Sequence, residues 1–122
     1  MGRKRILIAD DDEFVRSLLA RALEICGYEI DIVENGVEAI SQVEKRSYDL
    51  IITDYMMPKM DGLELTRRIK AEYPSIPILI VTGNGPVYDL LKSGAAACIT
   101  KPFNIFELQN MVKTILERID KG

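Results

Sequence analysis

The sequence predicts an α/β domain: a doubly wound, five-stranded parallel sheet in the order 2-1-3-4-5, flanked by five helices. Three observations predict it. Four apolar runs, Ile6-Leu7-Ile8-Ala9, Leu50-Ile51-Ile52-Thr53, Ile78-Leu79-Ile80-Val81 and Cys98-Ile99-Thr100, have the length and composition of strands buried on both faces. Segments with apolar residues at helical spacing lie between them. Each run also stops at a polar residue suited to phosphate or metal: Asp10-Asp11-Asp12, Asp54, Thr82 and Lys101 in turn. In a parallel sheet all of these emerge at one carboxyl edge, where open α/β sheets bind their ligands.

Taken in order, residues 5–9 form the first buried strand. A helix over 13–26 follows, with Val15, Leu18, Leu19, Ala22 and Cys26 on one stripe and Gly27 as its C-cap. Residues 28–33 alternate, Tyr28, Ile30 and Ile32 against Glu29 and Asp31, which suits an edge strand with one wetter face. Asn35-Gly36 turns into a short helix over 37–45, carried by Ile40 and Val43. The third strand spans 49–53. After Pro58 and the Asp61-Gly62 turn, a helix over 63–72 points Leu65 and Ile69 inward and is ended by Pro74. The fourth strand spans 76–81. The loop Gly83-Asn84-Gly85-Pro86 feeds a short helix whose first turn accommodates Pro86. A weaker fifth strand covers 95–100, and Asn104 caps a last helix with the stripe Ile105, Leu108, Val112, Ile115, Ile119.

Strands alternating with helices imply right-handed crossovers and a sheet covered on both faces. The oiliest strands belong in the centre and the alternating second strand at an edge, hence the order 2-1-3-4-5. The switch point then falls between strands one and three, where Asp10, Asp11 and Asp54 meet.

Composition bounds the function. The chain of 122 residues suits one domain, residues 1–122 with a core of about 4–120. Hydrophobic residues at 48% and charged residues at 29% are ordinary for a globular protein. A net charge of −3, with no basic tail, argues against direct nucleic-acid binding. Arg3-Lys4-Arg5 and the Arg67-Arg68-Ile69-Lys70 segment read as a solvated terminus and a solvated helix face. No apolar stretch reaches membrane-spanning length, and the N-terminus lacks the apolar core of a signal peptide. Cys26 and Cys98 lack metal-ligand spacing and read as inert buried thiols, so a reducing cytoplasm is the simplest compartment. There is no histidine, so any phosphohistidine belongs to a partner.

The carboxylates define the chemistry. Acids gathered within a few ångströms either share protons or hold a cation. Mg²⁺ suits one or two carboxylates plus phosphate oxygens, and there it offsets charge on an incoming phosphoryl group. Lys101 adds a second positive charge and Thr82 a hydroxyl donor. Asp54 is then placed to act as a carboxylate nucleophile and form an aspartyl phosphate.

These motifs together resemble the receiver domain of two-component response regulators, the CheY-like family with its flavodoxin-like fold. Asp54-Tyr55-Met56-Met57-Pro58-Lys59-Met60-Asp61-Gly62 is similar to the stretch that follows the family's phosphoacceptor. Asp10-Asp11, Thr82-Gly83 and Lys101-Pro102-Phe103 match its other signatures in order. The resemblance implies a signalling domain that catalyses only its own phosphorylation and dephosphorylation, with Asp54 as phosphoacceptor. Asp11 would be a direct ligand of Mg²⁺ (or Mn²⁺), Asp10 would act mainly through water, and the Met56 backbone carbonyl would complete the protein's share of the shell. Thr82 and Lys101 would contact the phosphoryl oxygens, and the Lys101–Pro102 bond would be cis. A sensor histidine kinase or a histidine phosphotransfer protein would donate the phosphate.

Plainer roles attach to several neighbours. Asp12 reads as a helix cap, Pro58 and Gly62 as loop-shaping, and the side chains of Met56, Met57 and Met60 as loop packing. Two departures from the family bear on output. Cys98 stands where receivers usually carry an aromatic residue, and the stretch from Thr82 to Lys101 is about one helical turn short, so the fourth helix should be stunted. Signalling by reordering of the loop around Gly83 and Gly85, or through another surface, is therefore expected. Two alternatives compete: a degenerate receiver acting only as an interaction module, and a Mg²⁺-dependent phosphatase with an aspartyl intermediate. The second needs an acid two residues after its nucleophile, where this chain has Met56.

Overall fold

The computed structural model describes residues 2–83 and 85–121, with side chains described as far as residue 118. Ten elements alternate: β1 (Arg5–Ala9), α1 (Glu13–Glu24), β2 (Glu29–Val33), α2 (Gly36–Lys45), β3 (Leu50–Asp54), α3 (Gly62–Glu72), β4 (Ile78–Thr82), α4 (Val87–Lys92), β5 (Ala97–Thr100) and α5 (Ile105–Lys121). All strand pairings are parallel and the order is β2-β1-β3-β4-β5. The expected architecture and order are therefore present.

Strand alternation splits the core in two. Ile6, Ile8, Leu50, Ile52, Leu79 and Val81 face one way, against Leu19 and Leu23 of α1 and Leu108, Val112 and Ile115 of α5. Leu7, Ala9, Ile51, Ile78 and Ile80 face the other way, against Ala39 and Val43 of α2, Leu65 and Ile69 of α3, and Leu90 of α4. The three central strands need no polar face because helices cover both sides. β2 lies at the edge, as its alternation predicts. Asp31 there accepts hydrogen bonds from Tyr48 Oη at 2.6 Å and Arg46 Nη1 at 3.1 Å.

The helix starts are locally encoded. Asp12, Asn35 and Asp61 each accept from backbone amides of the first turn of α1, α2 and α3, which satisfies donors that would otherwise have no partner. Asn104 does the same for α5, its Oδ1 accepting from Phe106 N–H at 2.7 Å. Gly27 follows α1 at φ +94°, a left-handed conformation that glycine adopts without a Cβ penalty.

Several details depart from expectation. α1 stops at Glu24, so Cys26 lies beyond the helix, off its stripe, and is exposed. The helix turns Leu19, Ala22, Leu23 and Arg16 inward and leaves Leu18 exposed. Ile32, on the apolar side of the edge strand, is also exposed. β3, β4 and β5 begin one or two residues later than predicted. β3 and β4 also run one residue further, taking in Asp54 and Thr82. Cys98 is half buried, and that burial pushes its thiol pKa up. Ile119 of the last predicted stripe lies outside the described side chains. α4 is a six-residue stub, as expected.

Candidate functional site

The three acids meet because β1 and β3 are neighbours in register, with Ala9 opposite Thr53. The next residue on each chain is an aspartate. Asp10 directly follows β1, Asp11 comes after it, and Asp54 is the last residue of β3. One carboxylate oxygen from each of Asp10, Asp11 and Asp54 lies within 4.8 Å of the other two. Asp10 is fully buried, Asp54 half buried and Asp11 exposed, so the group closes on one side and opens to solvent on the other.

Desolvation dominates the electrostatics. Burial raises the Asp10 pKa to about 6, the Asp12 amide opposes that, and the Asp54 charge adds to it. Asp54 is also pushed up, first by burial, with the Lys101 ammonium as the largest opposing influence. Lys101 Nζ stands 3.4 Å from Asp54 Oδ1, and the Tyr55 amide donates to the same oxygen at 3.0 Å. Asp10 Oδ1 accepts from Asp12 N–H at 2.8 Å, whereas Asp10 Oδ2 is buried with no hydrogen-bond partner among the described residues. A buried carboxylate oxygen without a donor is costly, and two more carboxylates beside it raise the cost. A hard divalent cation satisfies such an all-oxygen set, so the residues present fit one.

The remaining predicted residues lie along the same rim. Thr82 ends β4, one residue past Val81, which pairs with Asp54. Its hydroxyl is buried and accepts from Gly85 N–H at 2.7 Å. Lys101 directly follows β5, and its amide donates to the Thr82 carbonyl at 2.8 Å. The Lys101–Pro102 bond is cis. Met56 occupies the turn after Asp54 with its side chain 66% exposed, so it does not pack the loop. Met60 is buried and Met57 is packed against the same core, as expected of loop packing.

Four further residues shape the rim: Gly62, expected to shape this loop, Gly85 of the expected output loop, and Tyr55 and Arg16, which were not legible as site residues. Gly62 holds the backbone close to the acceptor. Its N–H donates to Tyr55 O at 2.8 Å, and any Cβ there would collide with the Asp54 carbonyl. Gly85 is wedged in a similar way, since a Cβ would stand 2.9 Å from Tyr55 Cδ2 while also meeting the Thr82 hydroxyl. Tyr55, beside both glycines, is the third. Arg16 is buried at 9% exposure and donates from Nη1 to the Asp10 carbonyl at 2.8 Å. Its one available signal is position, three residues before Leu19 on the inward face. The residue type pointed to the surface instead.

A doubly wound sheet gathering carboxylates, a hydroxyl and an ammonium at one carboxyl rim has the architecture of a receiver. Residues 6–113 match the family described as the response regulator receiver domain. The chain is 36% identical over 117 residues to response regulator MprA of Mycobacterium sp. (strain KMS), and 37% identical over the same length to MprA of Mycobacterium leprae. Those alignments cover 93% of this chain and 51% of each relative, so the chain spans about half the length of the curated relatives it matches. Among solved structures, a CheY-like receiver domain protein from Methanospirillum hungatei JF-1 superposes with a TM-score of 0.93 at 32% identity, covering 98% of both chains. The receiver domain of a signal transduction histidine kinase from Syntrophus aciditrophicus gives 0.89 at 34% identity, covering 98% of this chain and 94% of that one. The chain belongs to the response regulator receiver family, the signalling domains of two-component systems.

Proposed function

We propose that Asp54 is the phosphoacceptor of this receiver, loaded from a phosphohistidine on a sensor histidine kinase or histidine phosphotransfer protein in the cytoplasm. Residues 1–122, with a core of about 4–120, act as the single receiver unit. The observation that carries this reading is the Asp54 carboxylate, half buried, in one cluster with Asp10 and Asp11 and 3.4 Å from the Lys101 ammonium.

An Asp54 carboxylate oxygen attacks phosphorus and forms an O–P bond. The N–P bond of the donor breaks, and its electron pair leaves on the imidazole. Asp54 must be ionised to do this, and the Lys101 ammonium favours that form against the penalty of burial. Asp10, Asp11, Asp54 and the Met56 carbonyl would hold Mg²⁺ or Mn²⁺. When bound, the ion supplies positive charge that offsets the charge gathering on the phosphoryl oxygens. Lys101 neutralises a second oxygen, and the Thr82 hydroxyl donates to a third. In this scheme the domain promotes only its own phosphorylation and hydrolysis.

Output follows from what Thr82 gives up. Its hydroxyl accepts from Gly85 N–H, so turning toward a phosphoryl oxygen loosens that bond and releases the loop at Gly83 and Gly85. Gly85 abuts Tyr55, so the shift reaches the cleft of about 520 Å³ between α3 and α4, lined by Tyr55, Arg67 and Lys92. Cys98 contributes no aromatic ring to this route.

Two measurements test the proposal. Asp54→Ala is expected to abolish incorporation of label from acetyl phosphate in Mg²⁺ while the circular dichroism spectrum is unchanged. Undiminished labelling would refute the assignment. Beryllofluoride with Mg²⁺ is expected to move the amide NMR signals of Gly83 and Gly85, and unmoved signals would eliminate the loop route.

A further inference from the structure

We infer that Arg16 is a positioning residue for the cation site, holding the Asp10 peptide so that the Asp10 carboxylate stays presented to the metal. The inference rests on the reading that Asp10 and Asp11 hold Mg²⁺, and it adds a residue outside the acid, threonine and lysine set.

Arg16 lies on the inner face of α1 with 9% of its surface exposed. A guanidinium is rarely buried without strong partners, because losing its hydration is costly. Among the described residues it has one short bond, from Nη1 to the Asp10 carbonyl at 2.8 Å. Its other contact, Nη2 to Glu34 Oε1, is 3.9 Å long, and the Glu34 side chain is 65% exposed. A pair of that kind contributes little. The strong end of Arg16 is therefore the end that meets the site.

The Asp10 peptide is consequently fastened on both sides. Its N–H donates to Val33 O at 3.2 Å, and its carbonyl accepts from Arg16. Its Oδ1 accepts from Asp12 N–H, which leaves Oδ2 as the oxygen with no donor. Groups that orient a metal ligand without touching the metal fix its geometry in this manner. Arg16 is also a cation close to a site for a dication, so its charge alone would oppose Mg²⁺. Two routes of influence thus carry opposite signs. Through the hydrogen bond, Arg16 strengthens metal binding; through charge, it weakens it. The single short bond to the Asp10 carbonyl favours the first route.

The test is a MgCl₂ titration of the full chain, read by amide NMR shifts of Asp11 and Tyr55, alongside labelling by acetyl phosphate across the same Mg²⁺ range. Arg16→Met is expected to raise the half-saturating Mg²⁺ concentration about tenfold. The labelling rate at saturating Mg²⁺ should stay within about twofold, as expected for lost ground-state binding rather than lost chemistry. Arg16→Lys keeps one donor and the charge, and should restore affinity to within about threefold of wild type. Glu34→Gln should leave the titration unchanged. If Arg16→Met does not fold, Arg16→Gln, polar but too short to reach Asp10, carries the same expectation. Unaltered or tighter Mg²⁺ binding in the Met or Gln variant overturns the inference and leaves the role of Asp54 intact. A wild-type protein that takes up no Mg²⁺ overturns both.

Discussion

The half of the rim formed by β1 and β3 and the half formed by β4 and β5 are built on different terms. In the first, β1 and β3 are buried apart from Arg5 and Asp54 at their ends, and the helices that follow β1, β2 and β3 start from side-chain caps at Asp12, Asn35 and Asp61. The acids are tied down by the Asp12 and Tyr55 amides, and Gly62 lets the backbone close on Asp54. In the second half, α4 has no side-chain cap, spans six residues and buries only Leu90, while Tyr88 is 71% exposed. The Thr82 hydroxyl is held there by one backbone amide. Charges that must sit a few ångströms apart need a rigid frame. An element that must move is drawn from the least stable part of a fold.

Substitutions at matched positions can break or sharpen this contrast. The largest effect should come from Gly62→Ala. The obstacle there is the backbone of Asp54 and Tyr55, which has nowhere to go, so about 3 kcal/mol of stability should be lost. Urea denaturation measures it, and a loss below about 1 kcal/mol would show that the acid side is softer than argued.

Asp10→Asn comes next, with the opposite sign. A carboxyl whose folded pKa of about 6 exceeds its unfolded value near 3.8 adds stability that is complete below pH 4 and is lost as pH rises through 6. In metal-free protein, the charge on Asp10 then costs about 3 kcal/mol at pH 8, because its pKa rises from 3.8 to about 6. Asn carries no such charge. Asp10→Asn should therefore raise the metal-free stability at pH 8 by about 2 kcal/mol, flatten the decline between pH 4 and 7, and weaken Mg²⁺ binding. Equal stability of the two proteins at pH 4 and at pH 8 would remove the argument that the acid side stores electrostatic strain for a cation.

Legibility in the sequence did not divide along these two halves. Buried parallel strands carry a dense signal, so Ile6–Ala9, Leu50–Thr53 and Ile78–Val81 placed Asp10, Asp11, Asp54 and Thr82 at one edge, and the strand order followed from the alternation at Tyr28 to Val33. Asp12 and Asn104 were legible as caps because a cap is a local event. Arg16 was not, since the identity of an arginine argues for solvent and only tertiary packing shows that it reaches the Asp10 carbonyl. Cys26 lies outside because the chain leaves the helix before the apolar stripe in the sequence ends. Gly62 and Gly85 look alike in sequence, yet their neighbours differ in kind, and neighbours are a property of the fold.

That difference yields the smallest effect and the sharpest comparison. A Cβ at Gly85 would meet the Thr82 hydroxyl and the edge of the Tyr55 ring, both side-chain groups that can rotate away, with the cleft between α3 and α4 open beside Tyr55. Gly85→Ala should therefore cost only about 1 kcal/mol, near the low end for overpacking. It should also weaken the Gly85–Thr82 hydrogen bond and so bias the loop toward the arrangement expected on phosphorylation. Gly83→Ala supplies the control, since nothing lies within 4 Å of a Cβ at that position. If Gly85→Ala shifts the amide signals of Tyr55 and the α4 residues in the direction that beryllofluoride shifts them in wild type, and Gly83→Ala does not, the loop is a two-state element that Thr82 biases. If both alanines leave those signals in place, Gly85 is packing alone, and the contrast between a rigid acid side and a yielding output side loses its mechanistic content.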